Sequence, residues 1–175
     1  MKIYYIANAR LPHKKAYAIQ IAKMCEGFVE TGIDLELIIP AQWGEVADLK
    51  EYYKLRVPIH VVALPAFNFY ASGKWGFFWS SLSFMVSYSL YLVVERIRGR
   101  QGIVYSIDMD TFSFVATLLS GMPCFFETHG GKAMTRINKI FFERIKGAVV
   151  INNIIREQIH TTLGTFKEKM IVEPN

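Results

Sequence analysis

The sequence predicts an α/β fold, a doubly wound three-layer sandwich with helices on both faces of a seven-stranded parallel sheet. Short runs of β-branched and aromatic residues alternate with longer segments that have helical spacing. Most of the short runs are apolar throughout, which is typical of strands buried on both faces. Because parallel neighbours need crossover connections, this alternating order of strands and helices favours a parallel sheet.

Seven of the short runs are predicted as strands. They are Lys2–Ala7, Asp34–Ile39, Pro58–Leu64, Gly102–Ile107, Pro123–Thr128, Gly147–Ile151 and Met170–Val172. In a Rossmann-like sheet of this kind, ligands bind outside the carboxyl ends of the strands. We therefore expect functional side chains immediately after strands, along one edge of the sheet.

The helix predicted between the first two strands, Tyr17–Glu30, has the clearest amphipathic pattern. Gln20, Lys23 and Glu26 share the face that is expected to contact solvent. The opposite face carries an apolar stripe, which consists of Ala18, Ile21, Ala22, Cys25, Phe28 and Val29. The same spacing predicts three further helices, at Thr111–Leu119, Ala133–Ile145 and Asn153–Leu163.

The uncharged segment Trp75–Val94 lies between the third and fourth strands and allows three interpretations. It is long enough to span a bilayer, which takes about 20 residues. A crossover helix in the core is favoured, because a span would separate the two flanking strands and because Ser80, Ser83 and Ser87 form a polar stripe. The third interpretation is association with a membrane surface. In that case the lipid boundary would be met by Phe77, Phe78, Trp79, Tyr88 and Tyr91, and acidic head groups by Arg96, Arg98 and Arg100.

Length, composition and charge limit the possible functions. The 175 residues suit one domain with one core, and 52% hydrophobic against 20% charged residues excludes a disordered chain. The net charge of +5 favours an anionic partner, without choosing between phosphorylated small molecules, nucleic acid and an acidic membrane surface. Cys25 and Cys124 fit no disulfide or zinc pattern, and Met1 leads directly into the first strand. We therefore expect a cytoplasmic protein with reduced thiols.

Several motifs that would identify an enzyme class are missing from the sequence. No GxGxxG follows the first strand, which argues against a nicotinamide dehydrogenase. Neither Gly73-Lys74 nor Gly131-Lys132 lies in a phosphate-binding loop, so no NTPase is indicated. The chain also lacks a GxSxG elbow, an HExxH pair and an EF-hand loop, which disfavours the corresponding hydrolases and metal proteins.

The loop after the first strand is a candidate anion site. Arg10, Lys14 and Lys15 precede the start of a helix, and the free N–H groups at a helix start favour negative charge. A phosphate or sulfate group would suit this loop. The alternative is a basic loop that contacts only solvent.

His129 is the candidate for a catalytic role. It follows the fifth strand, where its imidazole would emerge at the strand end, and Gly130 and Gly131 would let the backbone pass close to a ligand. Glu127 could fix the orientation of the ring, or it could be a strand carboxylate held by backbone donors. A structural histidine with satisfied hydrogen bonds is the alternative.

Polar residues after the fourth and sixth strands complete the candidate site. Asp108 could accept hydrogen bonds from sugar hydroxyls, whereas Asp110 is better placed to cap the helix predicted to follow it. Of Asn152 and Asn153, one is expected to cap the next helix and the other to direct its amide into the cleft.

Four segments, taken in order, resemble the enzymes of glycosyltransferase family 4. They lie within Lys2–Pro40, Gly121–Gly130, Gly147–Asn152 and Lys169–Asn175. The resemblance covers nearly the whole chain outside Ala41–Arg100. It implies the GT-B fold, in which two Rossmann-like domains face each other across a cleft. Residues 1–175 are similar to the first, acceptor-side domain. The resemblance therefore implies that the donor-binding C-terminal domain is absent from these residues, and we expect the chain alone to be inactive.

The resemblance also implies an activity. A hexose or similar sugar would move from a nucleotide-sugar donor to a glycan or lipid-linked acceptor of the cell envelope, with its anomeric configuration retained and without a metal or other cofactor. His129 corresponds to the family's histidine near the transferred sugar. The loop from Asn8 to Lys15 corresponds to the segment that approaches the donor phosphates and the acceptor.

The resemblance further implies where the protein acts and with which partners. We expect it in the cytoplasm, with possible peripheral contact to the cytoplasmic face of the membrane, and we expect no nucleic-acid partner. A second hypothesis stays open: a standalone Rossmann-like module that binds a phosphorylated sugar or nucleotide and catalyses nothing.

Overall fold

The computed structural model of the chain describes residues 1–41, 48–69, 72–107, 119–129, 136–163 and 167–173. The strands in these ranges are β1 (Lys2–Ile6), β2 (Asp34–Pro40), β3 (His60–Leu64), β4 (Ile103–Ile107), β5 (Cys124–Thr128), β6 (Gly147–Val150) and β7 (Met170–Val172). The helices are α1 (Ala16–Glu30), α2 (Leu49–Tyr53), α3 (Gly73–Ile97), α4 (Arg136–Arg144) and α5 (Asn153–Leu163), with a 3-10 turn at Lys167–Lys169.

The seven strands are all parallel and lie in the order β3-β2-β1-β4-β5-β6-β7. The chain adds strands in one direction from β1 to β3 and in the other direction from β4 to β7. The winding therefore reverses between β1 and β4, and sheets of this kind bind ligands at the carboxyl edge beside such a reversal. The predicted fold class, a doubly wound α/β sandwich on a seven-stranded parallel sheet, is confirmed.

The helix predictions are less complete than the strand predictions. All seven predicted strands are present, with ends shifted by two residues at most. Helix α2 was not predicted, although its start has a recognisable signal: the Asp48 carboxylate accepts a hydrogen bond from the Lys50 N–H at 2.8 Å, and Glu51 follows at the spacing of a capping box. The helix predicted at Thr111–Leu119 lies outside the described residues up to residue 118.

Helices cover both faces of the sheet and create two apolar layers. On one face, α1 packs Ile21 against strand residues that include Tyr5. On the other face, α3 contributes Phe84, Tyr88 and Leu92, which are fully buried. Burial of a side chain of this size stabilises a fold by about 1.5–3 kcal/mol. The segment Trp75–Val94 is therefore a core crossover helix on its inner face.

The serine stripe of α3 holds the extended segment that follows β3. The three contacts join Ser80 Oγ to the Phe69 N–H at 2.8 Å, Ser83 Oγ to the Phe67 N–H at 2.8 Å, and Ser87 Oγ to the Pro65 carbonyl at 2.6 Å. The segment approaches the helix so closely that a Cβ on Gly76 would lie 1.9 Å from the Phe69 carbonyl oxygen. The predicted polar stripe thus satisfies backbone groups of this chain.

Near the end of α3, Glu95 is buried beside two arginines. Its Oε1 accepts a hydrogen bond from Arg98 Nη1 at 3.1 Å, and its Oε2 accepts one from Arg100 Nη1 at 2.9 Å. Burial acts to raise the pKa of the Glu95 carboxyl, but the hydrogen bonds from Arg100 and Arg98 outweigh it, so the pKa lies below its ordinary value.

Stability at acidic pH should therefore depend on Glu95. Because its pKa is lower in the folded than in the unfolded chain, its contribution to the free energy of unfolding is complete above the unfolded-state pKa of about 4.3. The contribution is lost as the pH falls through the folded-state pKa. Glu95→Gln should lower the free energy of unfolding at neutral pH and weaken its decline toward about pH 3, measured by urea unfolding. Glu168→Gln, at an exposed position, should behave as wild type; an unchanged acid dependence in Glu95→Gln would contradict the prediction.

Candidate functional site

The carboxyl edge of the sheet collects the predicted site residues. Asn8 follows β1, His129 follows β5 and Asn152 follows shortly after β6. Because every strand runs in the same direction, these positions share one edge. Helix α1 also starts at this edge, since it follows β1.

A buried chain of hydrogen bonds holds His129. Its Nε2 lies 2.5 Å from Glu127 Oε1, and the hydroxyl of Tyr105 donates to Glu127 Oε2 at 2.5 Å. A carboxylate only accepts hydrogen bonds, so the ring proton that faces it is carried by Nε2. Of the two roles predicted for Glu127, this geometry corresponds to the one in which it orients the histidine ring.

Tyr105, which no sequence pattern singled out, lies in β4 with its ring buried. The ring packs against Tyr5 and Phe28, with centroid separations of 5.2 Å and 5.7 Å. Burial, together with the hydrogen bond to Glu127, raises the pKa of Tyr105 far above its ordinary value. The phenol therefore keeps its proton and remains a hydrogen-bond donor to the carboxylate.

Helix α1 borders the histidine. The amide nitrogen of Gln20 lies 3.4 Å from His129 Nε2, which is a contact and not a hydrogen bond, because Nε2–H donates to Glu127 and an amide nitrogen is itself a donor. The prediction that Gln20 and Glu26 contact only solvent is wrong, because neighbouring segments cover part of that face. Glu26 is buried and accepts hydrogen bonds from the Arg56 N–H and, at 2.8 Å, from Lys23 Nζ.

The three cations of the loop after β1 are exposed. Among the residues that the structure describes, none of the side chains of Arg10, Lys14 and Lys15 pairs with a carboxylate. Helix α1 begins at Ala16 without a side-chain cap and without an acidic residue in its first turn. Cations beside such a helix start attract anions. This distribution of charge supports the predicted anion site, and anion binding there stays a prediction.

The same loop is fixed by two residues that the sequence patterns did not indicate. The Tyr53 hydroxyl accepts a hydrogen bond from the His13 N–H at 2.7 Å and donates one to the His13 carbonyl at 2.8 Å. His13 Nδ1 accepts a hydrogen bond from the Lys15 N–H at 3.1 Å. Helix α2 thus positions the basic loop through Tyr53, and burial raises the pKa of this phenol.

The two predicted asparagines make hydrogen bonds within the chain. The Asn8 amide donates to Ser81 Oγ at 3.0 Å, which joins the end of β1 to α3. Asn152 Oδ1 accepts a hydrogen bond from the Ile155 N–H at 2.8 Å, so Asn152 rather than Asn153 caps α5. Substrate contacts by Asn8 and Asn152 stay predictions.

Four of the residues discussed in the sequence analysis are not among those that the structure describes. Asp108, Asp110, Gly130 and Gly131 lie outside the described residues, so their roles also stay predictions. Within the described ranges, no three side chains of His, Cys, Asp or Glu form a group that could hold a metal ion. The expected independence of metals stays a prediction too.

The described site can attract an anion and orient a polar group beside it. The exposed cations and the start of α1 supply positive charge, while the hydrogen-bond chain holds the His129 ring through its Nε2. Gln20 links the two features, because it belongs to α1 and contacts the histidine ring. The cationic loop and the histidine therefore share one rim of the sheet, as predicted.

Solved structures share this fold over the length of the chain. The lipopolysaccharide outer core galactosyltransferase WaaB in its apo form matches with a TM-score of 0.66 and 18% identity, over 100% of this chain and 46% of that chain. HepE of Anabaena in complex with UDP and glucose matches with a TM-score of 0.60 and 12% identity, over 100% and 44% of the two chains. The UDP-N-acetylglucosamine 2-epimerase of Rickettsia bellii matches with a TM-score of 0.63 and 14% identity, over 100% and 45%.

These similarities establish the fold of one half of a GT-B enzyme. The chain spans less than half the length of the structures that it matches. No protein-family model matches the sequence, and no curated protein matches it significantly. Membership of glycosyltransferase family 4 therefore stays a prediction. Because transferases and an epimerase share the fold, the reaction must be inferred from the site.

Proposed function

We propose that the chain is the first, acceptor-side domain of a retaining glycosyltransferase, which transfers a sugar from a nucleotide-sugar donor to a glycan or lipid-linked acceptor. The observation that carries this proposal is His129, held in a fixed orientation at the carboxyl edge of a GT-B half-fold, beside α1 and its basic loop. In the complete enzyme, a second domain would close the cleft and bind most of the donor. This chain alone is then inactive.

The chemistry of transfer suits these residues. Positive charge builds on the anomeric carbon as the bond to the nucleotide diphosphate breaks, and negative charge builds on the leaving phosphate. The cations Arg10, Lys14 and Lys15 and the start of α1 would stabilise the phosphate. His129 would hold the sugar and place the acceptor oxygen within reach. These groups supply positive charge without a metal ion.

An assay of the complete protein with a panel of nucleotide sugars tests this proposal. We expect transfer from one donor, with retention of the anomeric configuration in the product, and no turnover by the 175-residue chain alone. Absence of transfer from every donor would contradict the proposal. Tight binding of a nucleotide or phosphorylated sugar to the chain alone would instead favour the binding module.

We further propose that the outer face of α3 contacts an anionic membrane surface, as expected of an enzyme with a lipid-linked acceptor. This helix is long and apolar enough to cross a membrane, and only a third of its most apolar window is buried inside the chain. A span would separate β3 from β4, which belong to one sheet. The outward stripe includes Trp75, Trp79, Val86, Leu90 and Ile97, with Phe67 and Phe69 beside it.

This stripe differs from the lipid-facing set predicted from the sequence. Tyr88 is fully buried, and the Tyr91 hydroxyl donates to Glu36 Oε2 at 2.8 Å, so neither tyrosine belongs to the outer face. At the far end of the helix, Arg98 and Arg100 share the single carboxylate of Glu95, which leaves a net positive charge there. An apolar stripe with a cationic end favours anionic lipid.

Trp75→Ser should weaken binding to anionic vesicles roughly tenfold, because an aromatic ring that is 76% exposed would lose its burial in lipid. Co-sedimentation with vesicles that contain a third of anionic lipid measures this change. Tyr52→Ser, at an exposed aromatic position on α2, is the control and should bind as wild type. Equal binding by Trp75→Ser and wild type would contradict a role for this face.

A further inference from the structure

We infer that Tyr105 is a positioning residue for His129: it determines, through Glu127, which nitrogen of the histidine ring carries the proton and where the ring points. The significance of this inference for catalysis depends on the proposed function. The hydrogen-bond chain itself does not, and it can be measured without any ligand.

The sheet register brings the three side chains together. Tyr105 of β4 lies opposite Phe125 of β5, and Ile107 lies opposite Glu127. Alternate residues of a strand project from the same face, so Tyr105 and Glu127 project from the face that α1 covers. Glu127 is two residues nearer the carboxyl edge, and the long phenol spans that offset to reach Oε2. His129 lies two residues beyond Glu127, so its side chain projects from the same face, and its Nε2 contacts Glu127 Oε1.

Burial makes both contacts of the carboxylate necessary. Glu127 is 2% exposed, and a buried charged oxygen without a donor is strongly destabilising. Tyr105 satisfies Oε2, which leaves Oε1 to accept the proton of His129 Nε2. If the phenol proton were removed, Oε2 would lack this donor. The carboxylate would then rotate toward another donor, and this rotation would release the histidine from its fixed orientation.

A second pair of the same chemistry provides a matched control. Tyr91 also donates from its hydroxyl to a buried glutamate, Glu36, at 2.8 Å. Glu36 additionally binds Lys2, near the amino edge of the sheet and away from His129. Tyr91→Phe therefore removes a hydrogen bond of the same kind without touching the histidine.

The experiment uses nitrogen-15 NMR of the 175-residue chain without ligand. In wild type, neutral His129 should carry its proton on Nε2, and this proton should exchange slowly with water. Tyr105→Phe keeps the ring that packs on Tyr5 and Phe28. It should nonetheless mix the two neutral tautomers of His129 and accelerate exchange of the Nε2 proton about tenfold or more, as expected from losing a hydrogen bond to a charged group. Tyr91→Phe should leave both observations unchanged.

Three results would overturn the inference: wild-type His129 protonated on Nδ1, an unchanged ring in Tyr105→Phe, or an equal change in Tyr91→Phe. If Tyr105→Phe does not fold, site-specific incorporation of 3-fluorotyrosine at position 105, with the other tyrosines unchanged, replaces it. The fluorinated phenol is a stronger donor, so the resonance of the His129 Nε2 proton should move; an unmoved resonance would likewise overturn the inference. If the proposed function is wrong, the complete protein will transfer no sugar, but the tautomer and proton exchange of His129 will still respond to Tyr105→Phe as described.

Discussion

Leu92→Ala should lower the free energy of unfolding by about 2–5 kcal/mol. Leu92 lies in α3 and is 0% exposed, packed in the apolar layer between this helix and the sheet. Truncation would remove buried methyl groups and leave a cavity, because the surrounding strands relax only in part. Urea unfolding of the two proteins, followed by circular dichroism, measures the difference.

The same substitution two residues earlier is the matched control. Leu90 belongs to the same helix and is 62% exposed, so Leu90→Ala should change the free energy of unfolding by less than about 0.5 kcal/mol. The same Leu→Ala change is thus made once on the inner face of α3 and once on its outer face, so the difference in free energy of unfolding reports burial alone. Equal destabilisation by both variants would contradict a core crossover helix, and so would the absence of an effect at Leu92.

His129→Ala should reduce kcat of the complete enzyme by about 10²–10³-fold while changing the KM for the acceptor little. A preorganised polar group that acts on developing charge contributes on this scale, and its effect appears in the transition state more than in substrate binding. Steady-state kinetics with the donor identified from the nucleotide-sugar panel measure both constants. Glu127 would lose its ring partner in this variant, so His129→Gln, which can still donate a hydrogen bond, should recover part of the rate.

His60→Ala serves as the control for His129→Ala. His60 starts β3 at the amino edge of the sheet, and its side chain is 67% exposed near Glu36. This substitution should leave kcat unchanged. A wild-type rate in His129→Ala would contradict a catalytic role. It would instead favour the alternative given in the sequence analysis, a structural histidine with satisfied hydrogen bonds.

The strands could be predicted because a strand that is buried on both faces is encoded by a short run of mostly apolar residues. Runs such as Gly147–Ile151 contain no polar side chain, and the helix predicted at Tyr17–Glu30 carries an apolar stripe. Helix α2 was missed because it is short and has no apolar stripe of its own. Its Asp48 and Glu51 pattern was the available signal, although the capping pattern alone also occurs in turns.

The contacts within the site could not be predicted, because they depend on which strands and helices pack side by side. The spacing of apolar residues along the sequence does not specify these neighbours. Gln20 lies on a face of α1 that looks solvent-exposed in isolation, yet the end of β5 covers it. Tyr105 is indistinguishable in the sequence from any aromatic strand residue. Its partner follows from the pairing of β4 with β5 and from a register that places Glu127 within reach of the phenol.

The proposal that the basic loop and His129 form one site is tested most directly by titrating the labelled chain with the donor identified from the nucleotide-sugar panel and following its NMR spectrum. We expect weak binding, roughly millimolar, because the proposed second domain would supply most of the contacts to the donor. The amides of Lys14 and Lys15 and the ring of His129 should shift together with one dissociation constant, and reversing both lysine charges to glutamate should weaken both responses. Shifts of the loop without the histidine, or shifts confined to the arginines at the end of α3, would contradict the proposal.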